Sequence, residues 1–200
     1  VVWLIIGIAV VAFAVVLLFG SYNRFVRQRN LIDNSWSNID TELKRRYDLI
    51  PNLVETVKGY ASHEAGTLGA VAEARSQAMA QTGSPEEQAR TENALVGSLK
   101  SLLAVSEAYP DLKANTGFID LQRQLVETED RIQAARRFYN NNVRDYNQRV
   151  QSVPTNVIAG LFHFETRQYF EVDEAVVSAP PAVGFDSGIG AAEPDGPGGA

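Results

Sequence analysis

The chain opens on nineteen residues without a charged side chain, Val1 to Phe19, reading VVWLIIGIAVVAFAVVLLF. No other feature restricts the fold as much. At about 1.5 Å per residue, a helix of this length reaches about 28 Å, close to the hydrocarbon thickness of a bilayer. A helix buried in a soluble core is a poor alternative, because the run has no polar face. A cleaved signal sequence competes better. The run nevertheless exceeds the apolar core usual for such signals, about 7 to 15 residues, and no small-x-small cleavage site stands before the polar region. Residues 1–20 are therefore expected to form a single membrane-spanning helix. Val1 is not methionine, and this reading expects further residues ahead of it.

The flanks orient the span. Arg24, Arg27 and Arg29 follow within a few turns, Lys44, Arg45 and Arg46 come later, and Asp33 is the first acidic residue. By the positive-inside rule the N-terminus lies outside and the large C-terminal domain in the cytoplasm. The three juxtamembrane arginines are expected to meet anionic lipid headgroups. Absence of cysteine agrees with a reducing compartment and excludes disulfides, thiolate metal sites and lipid attached to cysteine. A net charge of −6 and a pI near 5.0 disfavour nucleic acid as a partner.

Beyond the span, about 165 residues run to Phe185, enough for one domain. Their apolar positions step by threes and fours: Phe25, Ile32, Trp36, Ile39, Leu43, then Ile50, Leu53, Val57, Tyr60, and on through Val71, Ala74 and Ala78. That is the seam of a coiled-coil-like helix, not the alternation of a strand. Pro51 interrupts it without changing the phase, so the spacing predicts one kinked helix over 22–82. Gly83 suits a left-handed terminator. Ser84-Pro85-Glu86-Glu87 then forms a capping box that starts a second helix over 85–109. The segment PDLKANTG turns the chain into a third helix over 116–153, with Phe118, Leu121, Leu125, Ile132, Ala135, Tyr139 and Tyr146 on one face. A short C-terminal segment, 155–185, contains TNVIAGLF and an aromatic cluster of Phe162, Phe164, Tyr169 and Phe170 that is expected to pack back on the bundle. Residues 186–200 are small and poor in apolar side chains, and are expected to be disordered. The fold class is all-α: a transmembrane helix continuing into an elongated antiparallel bundle of long, kinked helices.

Lengths add one expectation that no motif supplies. The first helix beyond the membrane would be near 90 Å long, whereas the second holds about 25 residues and the third about 36. Such a stack covers mainly the distal part of the first helix and leaves the stripe from Phe25 to Leu43, with Trp36, without partners. An exposed apolar seam usually marks an interface, so copies of the chain are expected to associate there as a homo-oligomer. The competing expectation is that the C-terminal aromatic cluster folds down over the seam.

The segment SYNRFVRQRNLIDNSWSNIDTELKRRYDLIPNLVETVKGYASHE resembles the signature of the LemA family. AYPDLKAN at 108–115, TEDRIQAARRFYNNNVRDYN at 128–147, and PTNVIAGLF with QYFEV are similar to the family's later blocks, in the same order. The resemblance spans Tyr22 to about Phe185. Ser35 before Trp36 departs slightly from the pattern, as does His163, where the family's pattern implies a small residue. The resemblance implies a bacterial, single-span protein of the cell membrane with a mainly helical domain and no established enzymatic activity. Some relatives are lipoproteins facing the periplasm, which keeps an extracytoplasmic domain open as the alternative.

Motifs for chemistry are sparse. His63 and His163 are the only histidines, and His63-Glu64 lacks the second histidine of a zinc-protease helix. No nucleophile elbow, Walker loop or dinucleotide fingerprint occurs, so no catalytic residue, metal or cofactor is expected. Gly59, Gly66 and Gly69 are expected to permit close helix approach. The most suggestive polar block is Lys44-Arg45-Arg46-Tyr47-Asp48 with Pro51 and Asn52. Arg46 falls on the apolar stripe, a costly place for an unpaired charge, and Asn142 and Arg149 take similar positions on the third helix. Trp36, Arg45, Arg46, Asp48, Pro51 and Asn142 are the candidate interaction or register residues; Lys44 and Arg45 also read simply as a solvated face, with Arg46 snorkelling outward. Two functions fit. One is a non-enzymatic scaffold that assembles on the membrane and recruits other membrane components, including a membrane protein partner. The other is a sensor or signalling adaptor that bends at Pro51.

Overall fold

The apolar run and the first amphipathic stripe form one continuous helix, α1, Val2–Tyr60. A computed structural model describes residues 1–171, so the expectations for 172–185 and for a disordered 186–200 lie outside the described residues. The apolar window of α1 is long and apolar enough to cross a membrane, and none of it is buried against the rest of the chain. From Phe25 onward the helix enters the folded body, where Phe25, Ile32, Ile39, Leu43, Ile50, Leu53 and Val57 are buried. Pro51 lies on the exposed side of α1, and the helix runs on through it.

The single helix expected over 22–82 is in fact two. α1 ends at Tyr60, the chain reverses over 61–64, and α2, Ala65–Ala80, runs back along α1. The physical reason is burial: Leu68, Val71, Ala74 and Ala78 continue the stripe, and a straight helix would hold them out in water. Ala61 at the turn is fully buried. Gly59, Gly66 and Gly69 do not mediate close approach, since a Cβ on any of them would meet open space. Gly83 is not left-handed either; it leaves room for the Glu87 carboxylate, which a Cβ there would strike.

The capping box forms as read. Ser84 Oγ accepts from the Glu87 backbone N–H at 3.3 Å, and the Glu87 carboxylate accepts from the Ser84 N–H at 3.0 Å. It starts α3, Pro85–Ser106, which packs beside α2 as a hairpin. A single turn, α4, Pro110–Lys113, lies inside the segment read as a plain turn. Asn115 then caps α5, Thr116–Gln151, accepting from the Phe118 N–H at 3.0 Å. α5 runs antiparallel to α1, and its 36 residues match the stretch of α1 from Phe25 to Tyr60. α6, Thr155–Leu161, turns the chain at the membrane-proximal end.

This length match decides the fate of the proximal stripe. Once α1 stops at Tyr60, α5 reaches back to the level of Phe25, and the chain after α6 lies along both helices. Phe164 stacks on Phe25 at 4.8 Å, Tyr146 meets Phe25 edge-on at 6.0 Å, and Phe170 meets Trp36 edge-on at 5.3 Å. The C-terminal aromatic cluster therefore covers the seam, and Phe25 and Ile39 are fully buried. The premise of an uncovered stripe from Phe25 to Leu43 does not hold.

Candidate functional site

Midway along the bundle, polar groups from four helices meet in the core. Arg46 on α1 is 3 % exposed, and its guanidinium donates to Glu92 of α3 and to Glu129 of α5, the latter at 2.8 Å. Glu92, 1 % exposed, also accepts from the Tyr47 hydroxyl and from Gln88 Nε2, the second at 2.8 Å. Gln88 reaches α2 as well, donating to the Ala78 carbonyl at 3.3 Å. One guanidinium thus ties α1 to α3 and α5, and three donors satisfy a carboxylate that could not stay charged alone in this setting. Burial first, and then the neighbouring Glu92 charge, push the Tyr47 hydroxyl well above the usual tyrosine range, so it acts as a donor.

A second polar contact follows from Pro51. Proline has no N–H, so the Tyr47 carbonyl four residues earlier lacks its helical donor. Arg75 of α2 supplies one, with Nε 2.7 Å from that oxygen. A guanidinium from the returning helix thus compensates the backbone defect and pins α2 to α1.

The third arrangement holds the C-terminal segment. Asn147 donates to the Arg167 carbonyl and accepts from the Arg167 N–H, both at 2.8 Å. Asn140, two turns earlier on α5, does the same to Phe170 at 3.1 and 2.9 Å. Two helical turns rise about 10 Å and three extended residues span about the same. The two amides therefore read the segment's backbone at matching intervals. Tyr139 adds a bond from its hydroxyl to the Gln168 carbonyl at 2.9 Å.

The residues singled out from sequence are distributed among these features. Arg46 lies in the buried junction. Asn142 donates to Ser35 Oγ at 2.7 Å, joining α5 to α1, and Trp36 packs against Tyr139 and Phe170. Arg45, Asp48 and Pro51 face outward, as do Lys44 and Asn52, so the polar block is split by the helix and does not converge. Arg24, Arg27 and Arg29 are exposed near the end of the apolar run. Glu92, Glu129, Gln88, Arg75, Asn140 and Asn147 escaped the sequence reading. A signal for two of them existed: stepping back from Leu95 by three and by seven places Glu92 and Gln88 on the apolar face of α3.

The space lined by Leu43, Arg46, Glu92, Glu129, Ile132, Arg136 and Phe170 has no room for a water molecule. Among the described residues no group of histidine and carboxylate side chains could hold a metal ion.

These features define an all-α protein: an antiparallel bundle, closed by a core ion-pair junction, standing on an exposed apolar helix. A sequence model of the LemA family matches residues 35–185, and the chain belongs to that family. It is 29 % identical over 189 residues to the magnetosome protein MamQ 2 of Paramagnetospirillum magneticum, covering 82 % of this chain and 69 % of that one. It is 27 % identical over 158 residues to the protein LemA of Metamycoplasma hominis, covering 78 % and 71 %. The magnetosome protein MamQ of Magnetospirillum gryphiswaldense is 29 % identical over 188 residues, covering 82 % and 69 %.

Proposed function

We propose that this protein is a non-enzymatic scaffold of the bacterial cell membrane, anchored by the start of α1, whose bundle recruits or organises other membrane components. One observation carries the reading: an exposed apolar helix continues without a joint into a bundle whose buried charges among the described residues, Arg46 and Glu92, are engaged in holding helices together. Such a body transmits position, not chemistry. Relatives named for the magnetosome are in keeping with a structural role. Membrane lipids are its first partner and a membrane protein its second; nucleic acid has no place in the proposal. The positive-inside asymmetry favours a cytoplasmic bundle, with an extracytoplasmic one as the alternative. Assembly of copies belongs to the same proposal, through a face other than the covered stripe.

The test is purification of the full chain from native membranes with proximity labelling and protease accessibility. A recurrent membrane protein partner, with no substrate consumed by the pure protein, supports scaffolding. Turnover by the purified chain would sink it. The adaptor reading draws on Pro51 lying one turn from the buried junction; a small discrete species that changes shape with a partner would favour it over regular assemblies.

A further inference from the structure

α6 carries an apolar surface that the bundle does not use. Ala159 is buried and Ile158 packs against the core, while Val157 and Leu161, one turn apart, remain 70 % and 61 % exposed. Val153 just ahead of α6 and Phe162 just after it are exposed too. The place of this surface is fixed by one ring contact: Phe162 lies 4.8 Å from Tyr22. Tyr22 stands three residues past Phe19, or about 4.5 Å along the helix from the end of the apolar run. With that run in hydrocarbon, α6 sits at the level of the lipid headgroups.

Charge at the same level has the matching sign. Arg24, Arg27 and Arg29 are exposed on α1, and Arg149 at the end of α5 is near enough to Arg24 for the two charges to oppose each other. Burial, and then the Arg24 charge, lower the Arg149 pKa, and its Nε makes no hydrogen bond. Asp145 is the carboxylate that faces Arg149, and Arg144 approaches Asp145 at 3.8 Å. Asp33 and Glu165 also act at this end, together with Arg29 and Arg167; the arginines outnumber the carboxylates, so the surplus is positive, beside exposed aliphatic side chains. Basic side chains beside an apolar helical face are the composition of an interfacial membrane segment.

We propose that residues 153–162 form a second membrane contact, in which Val153, Val157, Leu161 and Phe162 enter the headgroup–acyl boundary while Arg24 and Arg149 bind lipid phosphates. This rests on the anchored reading above. It adds that the bundle is held at two points, so its tilt and rotation on the bilayer are set. A lone spanning helix leaves rotation about its own axis free.

The chain contains no cysteine, so single nitroxide labels can be placed directly at V157C, L161C, I8C and S101C. The full chain is reconstituted in vesicles of phosphatidylethanolamine and phosphatidylglycerol, and each label's collisions with oxygen and with a water-soluble nickel chelate are measured. Labels at 157 and 161 are expected to show an oxygen-to-nickel ratio several-fold above that at 101 and below that at 8. Combining Arg24→Gln with Arg149→Gln should move both toward the value at 101 and leave 8 unchanged. Water-like values at 157 and 161 with a lipid value at 8 would overturn this proposal alone; a water-like value at 8 would overturn the anchor as well. Spin–spin broadening, or shielding from both reagents, would mean that a second copy covers α6, and that also overturns it. No response to the arginine pair would strike the phosphate contacts from the proposal.

Discussion

Arg46 and Glu92 cost little together and much apart. A guanidinium and a carboxylate this far from water roughly cancel their desolvation, and the cost appears when one is removed. Arg46→Met is expected to lower stability by about 3–5 kcal/mol by leaving Glu92 charged in the core, and Glu92→Leu by a similar amount. The double variant should regain most of the loss, read by urea unfolding in nanodiscs through Trp36 fluorescence. If neither single variant unfolded earlier than the parent, the structural role of Arg46 would be lost and a ligand role would take its place. His163 offers the opposite case. Its φ of 55° is left-handed, where an L side chain is strained. Relief of strain outweighs the added chain entropy of glycine, so His163→Gly should raise stability by about 0.5–1 kcal/mol in the same assay. A pH dependence follows from the tyrosines. Burial pushes Tyr139 up to about 12 and raises Tyr47 and Tyr146 as well. The fold thus favours the neutral phenol. That stability is complete below the unfolded value near 10 and is lost as pH rises through the folded value. Melting temperature should fall from about pH 10 upward. Tyr139→Phe should flatten that fall while costing about 1 kcal/mol near neutrality, because the bond to Gln168 is gone.

At the scale of elements, the Pro51–Arg75 pair makes a sharper test than either residue alone. Arg75→Met leaves the Tyr47 carbonyl without a donor and is expected to cost about 1–2 kcal/mol. Pro51→Ala restores the helical N–H, so the same arginine substitution in that background should cost much less, a coupling of about 1 kcal/mol in a double-mutant cycle. Equal costs in both backgrounds would show that the guanidinium does not compensate the proline. The pair also shows what could be read beforehand. Pro51 and the unbroken phase across it were legible as a helix that continues through the proline, because backbone chemistry is local. Arg75 was not visible, since its partner depends on α2 turning back. That turn lacked any signal: Ala61, Ser62, His63 and Glu64 include no glycine or proline, and the three-four stepping resumes at Leu68 in α2. Capping at Ser84 and the stripe of α5 were legible for the reason Pro51 was, as interactions between residues a turn apart. At the junction, Arg46 announced itself as a charge on an apolar face, whereas Glu129 looked like any solvated carboxylate until α5 lay against α1.

At the scale of the whole molecule, the extended C-terminal segment takes the place that a second copy was expected to fill. Length arithmetic posed the right question, but by assuming one first helix of about 90 Å it ranked a second copy above the aromatic cluster, which is what lies over the seam. With α1 ending at Tyr60, the chain has enough of its own material to close the seam. Phe164 and Phe170 supply the last layer over Phe25 and Trp36, and Asn140 and Asn147 hold that layer by its backbone. The segment's described residues, 164–171, make no helix and have few bonds besides these, so the layer is removable in a way that a bundle helix is not. Ending the chain after His163 should expose one side of Phe25, Ile32 and Trp36, and so create the apolar seam that favours association. The expected result is a shift of the detergent-solubilised protein toward larger species relative to the full chain, measured by light scattering after gel filtration. Phe164→Ser with Phe170→Ser should reproduce the shift with the chain length intact, which separates loss of the aromatic layer from loss of the tail. Asn140→Ala with Asn147→Ala should give an intermediate shift, along with faster hydrogen exchange at the Arg167 and Phe170 amides. If truncated and full-length chains eluted alike while those amides exchanged freely, the segment would be a passenger on the seam, and α5 alone would suffice to close it.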